Sequence, residues 1–185
     1  MKFEFSAGGI VYKRQTTNDK RQETMILIAQ HSAHHGWVFP KGLIGDHPSA
    51  SSGHRETKSA SAKGFGPLRQ SDSEASETKE DAALREVEEE TGVIGKIIKP
   101  LASVTYWYVF KKDPSTPSNT SGQAGSGQEK IKKTVYYFLM EYISGDIAKH
   151  DMEMENVEWV PIEEVESRLT YKSDRQVWNQ AKKLI

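Results

Sequence analysis

Four glutamates lie within nine residues near the middle of the chain, in the segment 85–93 that reads REVEEETGV. At about 100° per residue, a helix would place Glu86, Glu89 and Glu90 within an arc of roughly 100° and turn Glu88 away from them. Like charges held this close repel one another, and a divalent cation among them would offset the repulsion. Carboxylate oxygens are ligands that suit Mg²⁺ or Mn²⁺. The spacing therefore indicates a metal site or, as in most Glu-rich helices, an acidic face in solvent.

The residues around this segment predict the helix that would carry the carboxylates. Ser76 and Thr78 are candidate N-caps for a helix that begins near Glu77. Gly92 is a helix stop, since glycine readily adopts the left-handed conformation of a C-terminal cap. An apolar stripe that contains Ala83, Leu84 and Val87 could dock this helix on a core.

The residues before the helix complete a longer pattern. Glu77 stands eight positions before Arg85, and residues 37–42 read Trp-Val-Phe-Pro-Lys-Gly. Together these segments resemble the Nudix hydrolase family. Its motif reads Gly, five residues, Glu, seven residues, Arg-Glu, an aliphatic residue, any residue, Glu-Glu, any residue, Gly and an aliphatic residue. From Glu77 to Val93 every fixed position of that motif is met.

The sequence departs from the motif at its glycine. The expected position holds Ser71, and the glycine with the right lead-in is Gly42. We interpret residues 43–76, which are polar and lack periodicity, as a loop insertion that splits the motif. Residues 113–128 are nearly all Ser, Thr, Pro, Gly, Asn and Gln, and we interpret them as a second loop that extends a hairpin. We expect a single domain over 1–185 that carries these two insertions.

The apolar patterns predict an α+β protein. Strands are expected at 3–13, 24–30, 96–111, 132–143 and 157–160, a helix opening at Pro161, and a final amphipathic helix over 173–184. The resemblance implies the corresponding fold, a mixed β-sheet sandwiched between α-helices, with the acidic helix beside the active site.

Composition narrows the function classes. The 185 residues leave room for one domain with a real core, and the formal charge of −1 gives no overall basic field for a stable nucleic-acid partner. The absence of cysteine excludes disulfides, thiolate zinc sites and cysteine nucleophiles. No signal peptide or membrane-spanning run is evident, so we expect a cytoplasmic protein. We expect it to be a monomer or a homodimer. His31, His34 and His35 are predicted as loop or strand-end residues rather than metal ligands.

The resemblance implies roles for individual residues. The metal ligands would be the carbonyl of Gly42 and the carboxylates of Glu86, Glu89 and Glu90, with Mg²⁺ or Mn²⁺ as cofactor. Arg85, one turn before Glu89, would pair with it and orient the glutamates, and Glu77 would hold Arg85. The general base differs between family members. Glu86 is one candidate, and Glu153 is either a further ligand or base or a solvated loop residue.

Outside the motif, the chain resembles the bacterial diadenosine tetraphosphate hydrolases. The matching segments are 106–108 (YWY), 133–140 (KTVYYFLM), 158–161 (EWVP) and 169–172 (LTYK). Lys41 and Lys133 are candidates for phosphate contacts, although Lys133 is equally a strand-edge lysine. Tyr106, Tyr108 and Tyr137 are candidates for stacking on adenine, although alternating aromatics in strands usually pack in the core.

Three functions compete on the sequence. The first is asymmetric hydrolysis of diadenosine tetraphosphate to ATP and AMP. The second is the same chemistry on an oxidised nucleoside triphosphate, an RNA 5′ end or a diphosphoinositol polyphosphate. The third is a nucleotide sensor without catalysis, for which a degenerate motif would be expected, yet every acidic position is present.

Overall fold

A mixed β-sheet forms the centre of the molecule. The structure, a computed structural model, describes residues 1–18, 20–45, 77–111 and 128–185. Within these ranges the strands are β1 (Lys2–Thr16), β2 (Gln22–His31), β3 (Trp37–Val38), β4 (Lys41–Leu43), β5 (Val93–Pro100), β6 (Val104–Lys111), β7 (Gln128–Gly145) and β8 (Met154–Pro161). The helices are α1 (Lys79–Thr91), α2 (Val165–Arg168) and α3 (Lys172–Ala181), with a 3₁₀ turn at Ile147–Lys149.

The sheet opens between β1 and β2, and the chain before the acidic helix enters this opening. β1 pairs with β7 in parallel, and with β2 antiparallel only from Tyr12 onward. β4 pairs instead with the earlier part of β1, where Gly8 lies opposite Lys41. A Cβ on Gly8 would lie 2.2 Å from the carbonyl oxygen of Pro40, so this close approach requires glycine. The opening therefore fixes Lys41 and Gly42 beside β1.

Each face of the sheet has its own apolar core, because side chains alternate between the faces along a strand. The core under α1 includes Ala7, Val11, Leu27, Ala82, Ala83 and Val87. The core under α2 and α3 includes Ile10, Phe39, Val165, Leu169, Val177 and Trp178. Helices thus cover both faces, which confirms the predicted mixed sheet between helices.

Helix α1 begins and ends as its sequence predicts. Thr78 is the N-cap, and its hydroxyl oxygen accepts a hydrogen bond of 3.1 Å from the backbone N–H of Asp81. Gly92 ends the helix with φ of 69°, and its N–H donates to the carbonyl of Glu88. Such caps are each worth about 1 kcal/mol. Ser76, the other predicted cap, lies outside the described residues.

One predicted strand is two strands in the structure. Residues 96–111 were expected to run without interruption, but the chain leaves the sheet between Pro100 and Val104. Both β5 and β6 pair with β7, each along a different part of it. Across the break, the N–H of Leu101 donates to the carbonyl of Tyr137 at 2.9 Å. Proline lacks an N–H for the ladder, and the interruption follows it directly.

The predicted start of the helix at Pro161 is also wrong. Pro161 is the last residue of β8, where it lies opposite Met25 of β2. A turn follows, and α2 begins only at Val165. The proline therefore ends a strand, which its fixed φ and missing N–H equally allow.

The two predicted insertions fall largely outside the described residues. Of the range 43–76, Leu43 belongs to β4 and residues 46–76 are not described. Lys111 of β6 pairs with Gln128 of β7, so these strands form the two sides of the predicted hairpin. Among the described segments, no helix is both long and apolar enough to cross a membrane.

The end of α1 can be tested with Gly92→Ala. A Cβ at this position would lie 2.4 Å from the carbonyl oxygen of Asp146, and the positive φ of 69° adds backbone strain of about 1–3 kcal/mol. Gly45→Ala is the matched control, because Gly45 has φ of 84° with no atom within 4 Å of a Cβ. Urea unfolding should show a larger loss of unfolding free energy for Gly92→Ala. Equal losses would contradict the close packing of Gly92 against Asp146.

Candidate active site

The four glutamates of α1 separate into inner and outer positions, as the helical spacing predicts. Glu86 and Glu90 are buried, and Glu89 is partly exposed. Glu88 is exposed on the other side of the helix. Three carboxylates therefore share one face of α1.

This face lies directly against β4. The Glu86 carboxylate occupies the space of a missing side chain, because a Cβ on Gly42 would lie 1.9 Å from Glu86 Oε2. The backbone N–H of Lys41 donates to Glu90 Oε2 at 2.8 Å. The predicted Lys-Gly lead-in and the predicted carboxylates thus meet in the fold.

Arg85 contacts the carboxylates from the side. Its Nη1 donates to Glu86 Oε1 at 2.7 Å and to Glu89 Oε2 at 3.0 Å. Its Nε and Nη2 donate to the two carboxylate oxygens of Glu77, at 2.7 and 3.1 Å. These are the contacts that the resemblance implied for Arg85 and Glu77.

Arg85 and Glu77 also join the two ends of the segment between β4 and α1. Arg85 Nη2 donates to the carbonyl of Leu43 at 3.0 Å, and the N–H of Gly45 donates to Glu77 Oε2 at 2.7 Å. Glu77 follows this segment in the chain, whereas Leu43 and Gly45 precede it. We call these four residues the Arg85 clamp. The clamp holds β4 against α1.

Burial governs the protonation of the two inner carboxyl groups. Desolvation raises the pKa of Glu86 to about 7, although the neighbouring Arg85 charge opposes the shift. Desolvation likewise raises the pKa of Glu90 to about 8, against the charge and N–H of Lys41. The hydrogen bonds that Arg85 donates to Glu77 raise the pKa of Arg85, which stays cationic. Further positive charge near these carboxyls would favour their ionised form.

The donor chemistry fits a hard divalent cation, because it consists of carboxylate and backbone oxygens. Across the described ranges, however, no three or more Asp, Glu and His side chains are already arranged around one ion position. The hydrogen bonds explain this, since Glu86 and Glu89 face Arg85 while Glu90 faces the N–H of Lys41. Ligation by all three would require these side chains to turn from their present partners.

A cavity of about 1270 Å³ opens beside the carboxylates. The sequence-predicted residues that line it are Lys41, Gly42, Arg85, Glu86, Glu89, Tyr106, Tyr108, Lys133 and Glu153. Lys133 lies on β7 directly between Tyr106 of β6 and Glu4 of β1. The fold therefore brings the predicted acidic, basic and aromatic residues to one cavity.

Three predicted site residues do not line the cavity. Glu77 and Glu90 lie behind it, where they hold Arg85 and the N–H of Lys41. Tyr137 belongs to the core under α3, with 2 % of its surface exposed, and its hydroxyl donates to Asp174. The predicted stacking of Tyr137 on adenine is not supported by this position, because the core already covers its ring.

Glu153 lies at the cavity edge, immediately before β8. Its side chain is 57 % exposed, and its Oε1 lies 3.5 Å from Nε2 of His31. The position is consistent with a base or a further ligand, and equally with a solvated loop residue. Both alternatives for Glu153 therefore stay open.

Further residues that sequence reasoning did not select as site residues also line the cavity, among them His31, His34, Tyr171 and Asp174. His31 ends β2 and His34 follows it in a turn, as predicted for strand-end and loop residues. Asp174 is buried, and it accepts a hydrogen bond of 3.1 Å from the N–H of Phe39. The tertiary fold brings Tyr171 to His34, and this contact across 137 positions is the signal that the sequence did not reveal.

The raised pKa values predict the pH dependence of the metal-free protein. As pH rises from about 5 to 8, the unfolded chain releases the protons of Glu86 and Glu90 before the folded protein does, so stability falls. Glu90→Gln should remove the contribution of Glu90 to this loss of stability. Its melting temperature should then fall less between pH 5.5 and 8.5 than that of the unmodified protein.

This difference should exceed about 3 °C in the presence of EDTA, because the raised pKa of Glu90 implies more than about 1 kcal/mol over this pH range, and about 1 kcal/mol moves the melting temperature by roughly 2–4 °C in a domain of this size. Glu88→Gln is the control on the exposed side of the helix, and it should follow the unmodified protein. An unchanged pH slope in Glu90→Gln would contradict the raised pKa of Glu90.

Comparison with known proteins identifies a family to which the chain is similar. The model of the NUDIX domain family matches residues 71–181, which is more than half of the chain. MutT4 of Mycobacterium tuberculosis (strain CDC 1551 / Oshkosh) is 37% identical over 112 residues, which cover 60% of this chain. The match covers 39% of that protein, so this chain spans about two fifths of the length of its relative.

Solved structures share the fold. The binary complex of the C. elegans Ap4A hydrolase has a TM-score of 0.57 at 18% identity, covering 98% of this chain and 96% of that one. The NUDIX domain of Shewanella oneidensis NrtR, complexed with ADP ribose, has a TM-score of 0.54 at 18% identity, covering 100% and 89%. At such low identity these likenesses establish the fold alone.

Nudix hydrolases act on nucleoside diphosphate derivatives and generally use divalent metal ions. The match confirms the predicted fold and the predicted family of the domain. The sequence motif, the geometry of α1 against β4, and the comparisons agree, and the chain belongs to the Nudix family.

Proposed function

We propose that this protein hydrolyses dinucleoside polyphosphates, with diadenosine tetraphosphate cleaved to ATP and AMP and with Mg²⁺ or Mn²⁺ as cofactor. One observation carries the proposal. A single cavity is lined by carboxylates at Glu86 and Glu89, by lysines at Lys41 and Lys133, and by Tyr106 and Tyr108. These are the groups that metal-bound phosphates and a nucleoside base require.

The lysines supply the binding of phosphate. Burial lowers the pKa of Lys133, and repulsion from the nearby charge of Lys41 adds to the shift. A polyphosphate between them would offset this repulsion. Its anionic oxygens would also compensate for the partial burial of Lys133.

The carboxylates supply the site of cleavage. Phosphoanhydride hydrolysis is limited by charge repulsion and by the orientation of the attacking water, and a bound divalent cation would neutralise phosphate oxygens there. Glu86, Glu89 and Glu90 would hold the cation together with the carbonyl of Gly42. Arg85 would orient Glu86 and Glu89, which it contacts at 2.7 and 3.0 Å.

Proton removal from the attacking water has two candidate bases. Glu86 has a pKa raised to about 7 by burial, which suits proton transfer near neutral pH. Glu153 lies at the cavity edge and is the more exposed of the two. We keep both as alternatives for the general base.

The tyrosines of β6 supply the contact with a base. The rings of Tyr106 and Tyr108 lie 6.5 Å apart, and the hydroxyl of Tyr108 donates to Glu4 at 2.7 Å, which fixes that ring. Stacking of a base on an aromatic ring is worth about 1–3 kcal/mol in single-stranded nucleic-acid sites. The C. elegans Ap4A hydrolase has this fold, so the fold is compatible with diadenosine tetraphosphate as a substrate.

The substrate can be tested with a panel containing Mg²⁺ and products resolved by chromatography. The panel holds diadenosine tetraphosphate, an oxidised nucleoside triphosphate, a triphosphorylated RNA and a diphosphoinositol polyphosphate. We expect ATP and AMP in equal amounts from the dinucleotide, with the highest kcat/KM of the panel. Rapid turnover of a different substrate without any turnover of dinucleoside polyphosphates would replace the proposed substrate.

The metal role of α1 can be tested with Glu89→Gln. Loss of a ligand carboxylate should lower kcat by at least about 100-fold, or roughly 2.7 kcal/mol of transition-state stabilisation. Circular dichroism should be unchanged, since Glu89 is partly exposed. Glu88→Gln, one position away on the exposed side, should retain the activity of the unmodified protein. Near-normal rates for Glu89→Gln would refute its assignment as a ligand.

A further inference from the structure

A second group of aromatic rings lines the cavity, distinct from the tyrosines of β6. The rings of His31 and His34 stack with centroids 4.2 Å apart, and Tyr171 meets His34 nearly perpendicularly at 5.3 Å. All three side chains line the cavity. We call these three residues the His34 cluster.

Hydrogen bonds hold the ring of His34 in place. Its Nδ1 accepts from the backbone N–H of Gly36 at 3.1 Å and lies 3.0 Å from the hydroxyl of Tyr171. Partial burial, together with the charges of His31 and Lys41, lowers the pKa of His34, so the ring is neutral near pH 7. His34 therefore presents a fixed ring, in which the neutral form is favoured, to the cavity, and this suits a flat base better than a phosphate group.

His31 and the tyrosines of β6 lie on different strands, whereas Tyr171 lies near enough to Tyr106 for the two to interact electrostatically. His31 ends β2, whereas Tyr106 and Tyr108 lie on β6, and β1 and β7 run between these strands. The lysines lie in the same interval, with Lys41 on β4 beside β1 and Lys133 on β7. Cations are thus flanked by aromatic rings on both sides.

The size of the cavity agrees with a ligand that has two ends. Pockets for ordinary small ligands occupy about 300–1,000 Å³. The cavity here measures about 1270 Å³. It therefore offers more room than one nucleotide needs.

We propose that the His34 cluster is a second nucleoside site, which holds one base of a dinucleoside polyphosphate while Tyr106 and Tyr108 hold the other. This inference rests on the proposed function. It adds the feature that selects substrates with two nucleosides over mononucleotides. His34 and Tyr171 act in specificity, since they contact a base and not the phosphate that reacts.

Binding to the inactive Glu89→Gln protein separates this role from catalysis. Isothermal titration with Mg²⁺ would compare diadenosine tetraphosphate with adenosine 5′-tetraphosphate, which has the same phosphates and one base fewer. His34→Ala should raise the Kd of the dinucleotide about tenfold, as expected for one lost stacking contact. It should change the Kd of adenosine 5′-tetraphosphate less than about twofold, within the error of such comparisons.

Two further variants separate stacking from other roles. Tyr171→Phe should keep the affinity for the dinucleotide, because stacking needs the ring and not the hydroxyl. His35→Ala is the control from the same turn, since His35 pairs with Glu155 and does not line the cavity. An equal loss of affinity for both ligands in His34→Ala would identify a phosphate contact and overturn the second nucleoside site. An unchanged Kd for the dinucleotide would overturn it as well.

The outcome can be distinguished from that of the proposed function. Turnover of diadenosine tetraphosphate by the unmodified protein, without a ligand-specific effect of His34→Ala, would overturn the second site alone. Selective loss of dinucleotide binding without any turnover would overturn the proposed reaction and retain the site.

Discussion

The guanidinium group of Arg85 is the contact on which the site depends. Only 16% of this side chain is exposed, and it donates to Glu77, Glu86, Glu89 and the carbonyl of Leu43. A planar fork can reach this many acceptors at once, whereas a lysine ammonium in the same place would act as a point charge. Removing such a charge from water is costly. The complete set of hydrogen bonds compensates for that cost and fixes one arrangement of α1 and β4.

The opening between β1 and β2 gives the carboxylates access to groups on the other side of the sheet. Helix α1 covers one face, and α3 covers the opposite face. Nevertheless, Glu86 of α1 and Asp174 of α3 line the same cavity. The segment that contains β3 and β4 makes this possible, because its backbone contacts both Glu90 and Asp174. A continuous sheet would have kept these groups apart.

The sequence predicted features that depend on local geometry. The separation of Glu86, Glu89 and Glu90 from Glu88 follows from the helical repeat, and both ends of α1 follow from Thr78 and Gly92. Contacts between distant segments could not be derived in this way. The break after Pro100 separates β5 from β6, and these two strands pair with different parts of β7. Strand alternation does not reveal which residues on a face a helix covers, so Tyr137 was a candidate for stacking on adenine although its ring lies in the core. His34 and Tyr171 meet across 137 positions.

The Arg85 clamp has a consequence for protein engineering. Because Glu77 holds Gly45 and Arg85 holds Leu43, the contacts that join the two ends of this segment involve none of the residues between positions 45 and 77. Each doubling of such a loop costs only about 0.6 kcal/mol in closure entropy. A foreign domain with adjacent termini can therefore be grafted between positions 45 and 77. If that domain separated its termini on binding an analyte, it would pull the clamp apart, and the hydrolase would become a switchable biosensor.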